Sequence, residues 1–456
     1  MGDIATSLAR WTAEARDADF PALARARAVD AITDCLACMY AGSREPLGPM
    51  LRNVIGVHDA HPGGALLVGL DRYATPADAA LYNGTVAHAL DYDDTNHPAY
   101  AHPSATIVPA LLACAGAREG APPTGADLVT AYILGIEVIG KLGRALNTAH
   151  YIKGWHATAT FGTLAAAVTA SRLLGLDQPR TVMALGIAAS AASGLRANFG
   201  TMVKPLHAGY AARNGVLAAL LAREGFTASE DALEHRFGYV NVFNHKVGFD
   251  LAPLTQWGES PEILSEYGLA LKPYPSCGAT HTGIEAALLL RDAIGRDAPK
   301  RIRAGVSEMA FNPLIHVQAA TGLEGKFSLH YCLAAALLDG EVNLATFTDA
   351  RAADVRIRDL IDRTTMEVDE RVRTDPEFAT VVEIETVTGA RHEKLVPLAI
   401  GKPARWFPKA RLRAKFDDCA GLVLRETRLA PVFESIQGMD NRNSAAAWCE
   451  SLRAAA

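Results

Sequence analysis

"FGTLAAAVTASRLLGLD", residues 161–177, is the stretch whose reading decides the fold. Gly162, Ala165 to Ala167 and Ala170 are small enough to let a helix approach its neighbours closely. Leu173 and Leu174 add bulk, and Gly175 is placed to end the helix. "AARNGVLAALLAREGFTA", residues 211–228, repeats the pattern with Gly225 as its stop. Outward from these two, the spacing predicts helices over 21–41, 76–91, 104–118, 125–146, 160–175, 180–193 and 208–223. Residues 5 to about 225 thus read as one helix after another.

A chain of 456 residues is too long for one ordinary core, so two domains are expected. Half of it is hydrophobic and only 7% aromatic, which suits a tightly packed helical body rich in Ala, Leu and Val. After about residue 266 the texture changes. "RIRAGVSEMAF" (301–311) and "VVEIETVTG" (381–389) alternate as strands do, and helical stretches 283–294 and 328–340 lie between them. Beyond Pro403 the pattern returns to helix with "RLRAKFDDCAGLVL" (411–424). The expected fold is mainly α. Three segments follow: helical 1–266, α+β 267–402 and helical 403–456, and a C-terminus that rejoins the first segment would make the α+β part an insertion into one large helical domain.

The net charge of −6 and the lack of a long basic run argue against nucleic acid as a partner. No apolar run reaches membrane-span length, and the N-terminus lacks the apolar core of a signal peptide. The cysteines are Cys35, Cys38, Cys114, Cys277, Cys332, Cys419 and Cys449, scattered and odd in number. Cys35 and Cys38 lie in an apolar helical stretch and read as buried thiols of a reduced, cytoplasmic protein. The motifs of serine hydrolases, P-loop NTPases and dinucleotide-binding folds are missing.

Four polar clusters interrupt the apolar helices. "AHALDYDDTNHPAYAHPSA" (87–105) crowds His88, Asp91, Asp93, Asp94, Thr95, His97 and His102 together. Three readings fit it: a metal site, an acid–base loop, or a solvated loop. "GWHATATFG" (154–162) sets His156, Thr158 and Thr160 just ahead of a helix, where backbone N–H groups and hydroxyls favour an anion. "NFGTMVKPLHAGYAARNG" (198–215) holds Lys204 and His207 ahead of the 208–223 helix, as a carboxylate clamp would require. "KPYPSCGATHTG" (272–283) brings Lys272, Tyr274, Cys277 and His281 to the junction of the two textures. Imidazoles move protons near neutral pH, and lysine stabilises enolate-like charge. The combination suits removal of a proton alpha to a carboxylate.

These clusters, in this order, together with "GKPARWFPKARLRAKFDDCA" (401–420), resemble the MmgE/PrpD family over residues 5 to about 425. That family includes 2-methylcitrate dehydratase, cis-aconitate decarboxylase and iminodisuccinate epimerase. The resemblance implies a helical domain from both chain ends, an inserted α+β lid, a homodimer, and catalysis without metal or organic cofactor. Matched motif by motif, it places Asp91, His102, His156 and Lys204 in catalysis, with His102 as acid–base residue, Asp91 orienting it and Thr95 donating to substrate. His207, Lys272, Tyr274, Cys277 and His281 become substrate-binding, while Asp93, Asp94 and His97 are partly structural. Cys277 stands where the decarboxylase motif has a histidine, which argues against decarboxylation. The implied activity is a lyase of the 2-methylcitrate dehydratase type acting on a small di- or tricarboxylate. Epimerisation of a dicarboxylate is the alternative, because "LGRALNTAHYIKGWH" (142–156) and the 198–215 segment look closer to the epimerase branch. A decarboxylase and a metal-dependent hydrolase rank below both.

Overall fold

The computed structural model of the chain describes residues 4–60, 63–118, 121–244 and 250–454. It is mainly helical and divides into two compact units, one of residues 1–271 and 408–456, the other of residues 272–407. These limits fall a few residues beyond the texture changes at 266 and 403. Leu269–Ala270 pairs antiparallel with Thr95–Asn96, which keeps it in the first unit. Arg405 bonds Glu285 and the Leu398 carbonyl, which keeps it in the second.

In the first unit the helix Val203–Arg223 packs against Ala157–Leu174, Pro76–Ala87, Gln178–Ala191 and Ser104–Cys114. Small residues make this possible. A Cβ on Gly84 would lie 2.9 Å from the Cα of Gly209, and one on Gly162 would lie 2.7 Å from Thr106 Cγ2. Gly175 ends its helix with φ +70°, as its place in the sequence implies. After the second unit, the helix Lys409–Ala420 packs on Ala22–Gly42.

Several helix limits differ from the sequence reading: the helices read over 104–118 and 411–424 end at Cys114 and Ala420, and three others differ for a local reason. The 208–223 helix begins at Val203, because Pro205 sits in its first turn, where a missing N–H costs nothing. The 160–175 helix begins at Ala157, so Thr158 and Thr160 lie inside it. The 76–91 helix stops at Ala87, and Asp91 just beyond takes a left-handed φ of +54° that no helix accommodates.

The second unit is a four-stranded mixed sheet in the order Thr364–Val368, Pro299–Val306, Thr380–Thr386, Arg391–Val396. The first pair is parallel and the others antiparallel. The alternation read in 381–389 holds, with Val382 and Ile384 buried while Glu383 and Glu385 pair with Arg303 and Lys300. The strand read over 301–311 stops at Val306 and gives way to a 3₁₀ turn, Glu308–Phe311. Helices His281–Ile294 and Leu329–Asp339 complete this unit's core. Among the described residues no helix is long and apolar enough to cross a membrane.

Candidate active site

The site is built where the chain leaves the helix Pro76–Ala87. His88 follows directly, and its Nδ1 lies 2.9 and 3.1 Å from the two carboxylate oxygens of Asp93. Both side chains are wholly buried. Asp91 takes the left-handed conformation, which a short polar side chain tolerates better than most. His102, just ahead of the helix Ser104–Cys114, reaches both acids: Nε2 is 3.5 Å from Asp91 Oδ1, and Nδ1 is 3.4 Å from Asp93 Oδ2. The second approach lacks hydrogen-bond alignment, so His102 Nδ1 is a buried nitrogen beside a carboxylate rather than bonded to it. The His102 backbone N–H donates to Thr158 Oγ1 at 3.0 Å.

The helix Val203–Arg223 brings in the cation. Lys204 Nζ donates to Asp91 Oδ1 at 2.8 Å. One turn on, His207 Nδ1 stands 3.0 Å from Nδ1 of His156, the residue that precedes the helix Ala157–Leu174. Such a contact needs one donor and one acceptor. One ring therefore presents a bare Nε2 while the other presents an Nε2–H, a base and an acid in a single pair. Phe199 closes this side, its ring 4.8 Å from that of His156 and 5.6 Å from the Lys204 ammonium.

Burial and charge sort the protonation states. Burial pushes the His88 imidazole down to about 4 against the pull of Asp93, so at neutral pH it is uncharged and donates its Nδ1–H. Burial pushes the Asp93 carboxyl up, but the imidazoles of His88 and His102 outweigh it and hold the group well below the usual carboxylate range. Burial takes His156 well below the ordinary imidazole value, with Lys204 adding to it, and lowers His207 as well. Lys204 goes the other way: burial disfavours its charge, yet Asp91 raises it above the ordinary lysine value. Asp94 is pushed up to about 8 by burial and is a neutral acid, held by the Ser104 N–H at 3.0 Å and the Ser104 hydroxyl at 2.5 Å.

His88, Asp91, Asp93 and His102 offer ligand atoms that all lie within 4.8 Å of one another, the geometry of a metal site. The donor set is already engaged, however. Asp91 holds the Lys204 ammonium and Asp93 accepts from His88, so a cation there would meet a resident positive charge at 2.8 Å from one of its ligands.

Asp91, His102, His156, Lys204 and His207 are thus gathered into one cluster. Thr95 lies just past Asp94, in the short strand Thr95–Asn96. His97 packs edge-on against Tyr100 and Tyr267. Lys272, Tyr274, Cys277 and His281 belong to the second unit. There Tyr274 meets His281 edge-to-face at 5.6 Å, His281 Nε2 faces the Ser276 carbonyl at 3.2 Å, and the Cys277 N–H donates to the Lys326 carbonyl at 2.9 Å. In the stretch 154–162 the Thr158 hydroxyl accepts from the His102 N–H, and the Thr160 hydroxyl meets His150 Nε2. Sequence reasoning named His88 only as one member of the crowded 87–105 cluster and made Asp93 partly structural. The signal was their spacing of five residues across a helix end, in a loop too apolar to be solvated.

The MmgE/PrpD N-terminal domain matches residues 6–252 and the MmgE/PrpD C-terminal domain matches residues 274–435. A cis-aconitate decarboxylase of Aspergillus terreus is 28% identical, over 96% of this chain and 93% of its own. A cis-aconitate decarboxylase-like protein of Aspergillus oryzae is 31% identical, over 80% and 79%. The cis-aconitate decarboxylase of Homo sapiens is 32% identical, over 64% and 61%. With both domains matched in order and a relative above 30% identity across most of its length, this chain belongs to the MmgE/PrpD family.

Proposed function

We propose that this protein is an enzyme that moves a proton at the carbon alpha to a carboxylate of a small di- or tricarboxylate, with a lyase outcome. The observation that carries this reading is Asp91, shared between the Lys204 ammonium and the His102 imidazole. The ammonium offers a counter-charge to a substrate carboxylate and to the enolate that forms from it. His102 takes the alpha proton. The electron pair of the broken C–H bond becomes the new double bond, and hydroxide departs from the neighbouring carbon with a proton from an imidazole. That is a dehydration of the 2-methylcitrate type. The reading takes the enzyme as a homodimer, as the family resemblance implies.

The relatives named as cis-aconitate decarboxylases support a carboxylate-directed lyase, and loss of carbon dioxide would call on the same cation and proton donor. Epimerisation of a dicarboxylate is a second reading, favoured by the His156–His207 pair, which gives the cluster a second proton-transfer group. Purified protein incubated with 2-methylcitrate, cis-aconitate and iminodisuccinate, followed by NMR, tests all three. An alkene with release of water supports the dehydratase. Carbon dioxide release supports the decarboxylase, and inversion without either supports the epimerase. No change in any of the three carboxylates would overturn the reading.

A further inference from the structure

The helix Lys409–Ala420 places an ammonium beneath the loop that carries the two acids. Lys415 is buried, ion-paired with Asp34 Oδ1 at 2.6 Å, and donates to the Tyr92 carbonyl oxygen at 2.7 Å. Its ammonium also lies 3.8 Å from the centre of the Tyr92 ring. Tyr92 is the residue between Asp91 and Asp93. Its ring and carbonyl face Lys415 while the acids on either side face Lys204, His88 and His102. A buried ammonium is costly unless paired, and this one is satisfied by a carboxylate, a carbonyl and an aromatic face together. Nothing in helix packing alone asks for a charge there, since Cys35, Cys38, Phe416 and Cys419 around it are fully buried.

We propose that Lys415 is a positioning residue for the reaction: with Asp34 it anchors Tyr92 and so sets where Asp91 and Asp93 meet His102 and His88. The inference rests on the proposed function only for its catalytic consequence, since the geometry of the loop can be read without substrate.

The full-length chain labelled with 15N-histidine provides the test, as wild type, Lys415→Met, Lys415→Arg and the neutral pair Asp34→Asn/Lys415→Met. His88→Gln and His102→Asn assign the two ring signals. Expected for Lys415→Met and for the neutral pair is a cooperative melt together with displaced His88 and His102 ring signals, while those of His330 and His392 in the second unit stay fixed. Lys415→Arg restores the signals in part. On whichever of the three carboxylates the wild type consumes, kcat falls about 10- to 100-fold with KM nearly unchanged. Folded variants with unmoved His88 and His102 signals would overturn the proposal. So would failure of both Lys415→Met and the neutral pair to fold, which would make Lys415 a folding residue only. A wild type inert towards all three carboxylates would sink the functional reading and leave the ring signals to decide this one.

Discussion

Lys204 Nζ and Asp91 Oδ1 stand 2.8 Å apart, and the same oxygen lies 3.5 Å from His102 Nε2. One carboxylate oxygen therefore couples the cation of the site to its imidazole. Lys204→Ala removes the counter-charge to the substrate and the ammonium that Asp91 holds beside His102. Both KM should rise and kcat should fall, with a combined loss in kcat/KM on the order of a hundredfold or more. Steady-state kinetics on the consumed carboxylate checks this, and unchanged KM and kcat would place Lys204 outside the reaction.

The buried His88–Asp93 pair ties stability to pH. The folded His88 sits at about 4, below its ordinary value of 6.5, so its contribution is complete above 6.5 and is lost as pH falls through 4. The Tm of wild type relative to His88→Gln should therefore drop between pH 7 and 4, because His88 is the one group of that window that the variant lacks, while Asp94 and His156 act alike in both proteins. Equal slopes in the two proteins would remove His88 from the account.

Asp94 works in the opposite sense. Its folded value near 8 lies above the ordinary 3.8, so its contribution is full below about 4 and is lost as pH rises through 8. Asparagine keeps the acceptor for the Ser104 N–H without a charge to bury. The Tm of Asp94→Asn relative to wild type should climb from pH 5 to 8 and then level off. A difference that stays constant with pH would mean Asp94 is ionised in the folded protein.

Some of this was plain in the residues and some was not. The helix Gly125–Leu146 has the limits its spacing predicts, and Gly175 is the left-handed stop it looks like, because apolar periodicity and caps are local signals. Asp91, His102, His156, Lys204 and His207 stood out as polar interruptions of apolar helices. What stayed hidden depends on distance along the chain. Lys415 reads as one charge among several in "RLRAKFDD", and only its packing on Asp34 and Tyr92 shows that it is buried. Nothing in the sequence says that the threonine hydroxyls of 154–162 meet His102 and His150. Lys204 and His207 read as lying ahead of the 208–223 helix, whereas they lie in its first turns, where Pro205 is tolerated.

Exhaustive chelation should leave turnover unchanged, even though four ligand atoms lie within 4.8 Å of one another. The Lys204 ammonium already supplies the positive charge that a metal would bring to Asp91. Metal analysis alongside the assay checks this. Stoichiometric metal whose removal abolishes turnover would replace proton transfer by metal-assisted chemistry.

The central claim is that His102 carries the alpha proton. Wild-type protein and His102→Asn, each in deuterated water with the consumed carboxylate, test it by NMR at the alpha carbon. The wild type should place deuterium there, provided its base exchanges with solvent before the intermediate collapses. His102→Asn, which hydrogen-bonds but cannot shuttle a proton, should melt cooperatively and exchange slower by a factor on the order of a hundred or more. Wash-in at the wild-type rate in His102→Asn would contradict the account.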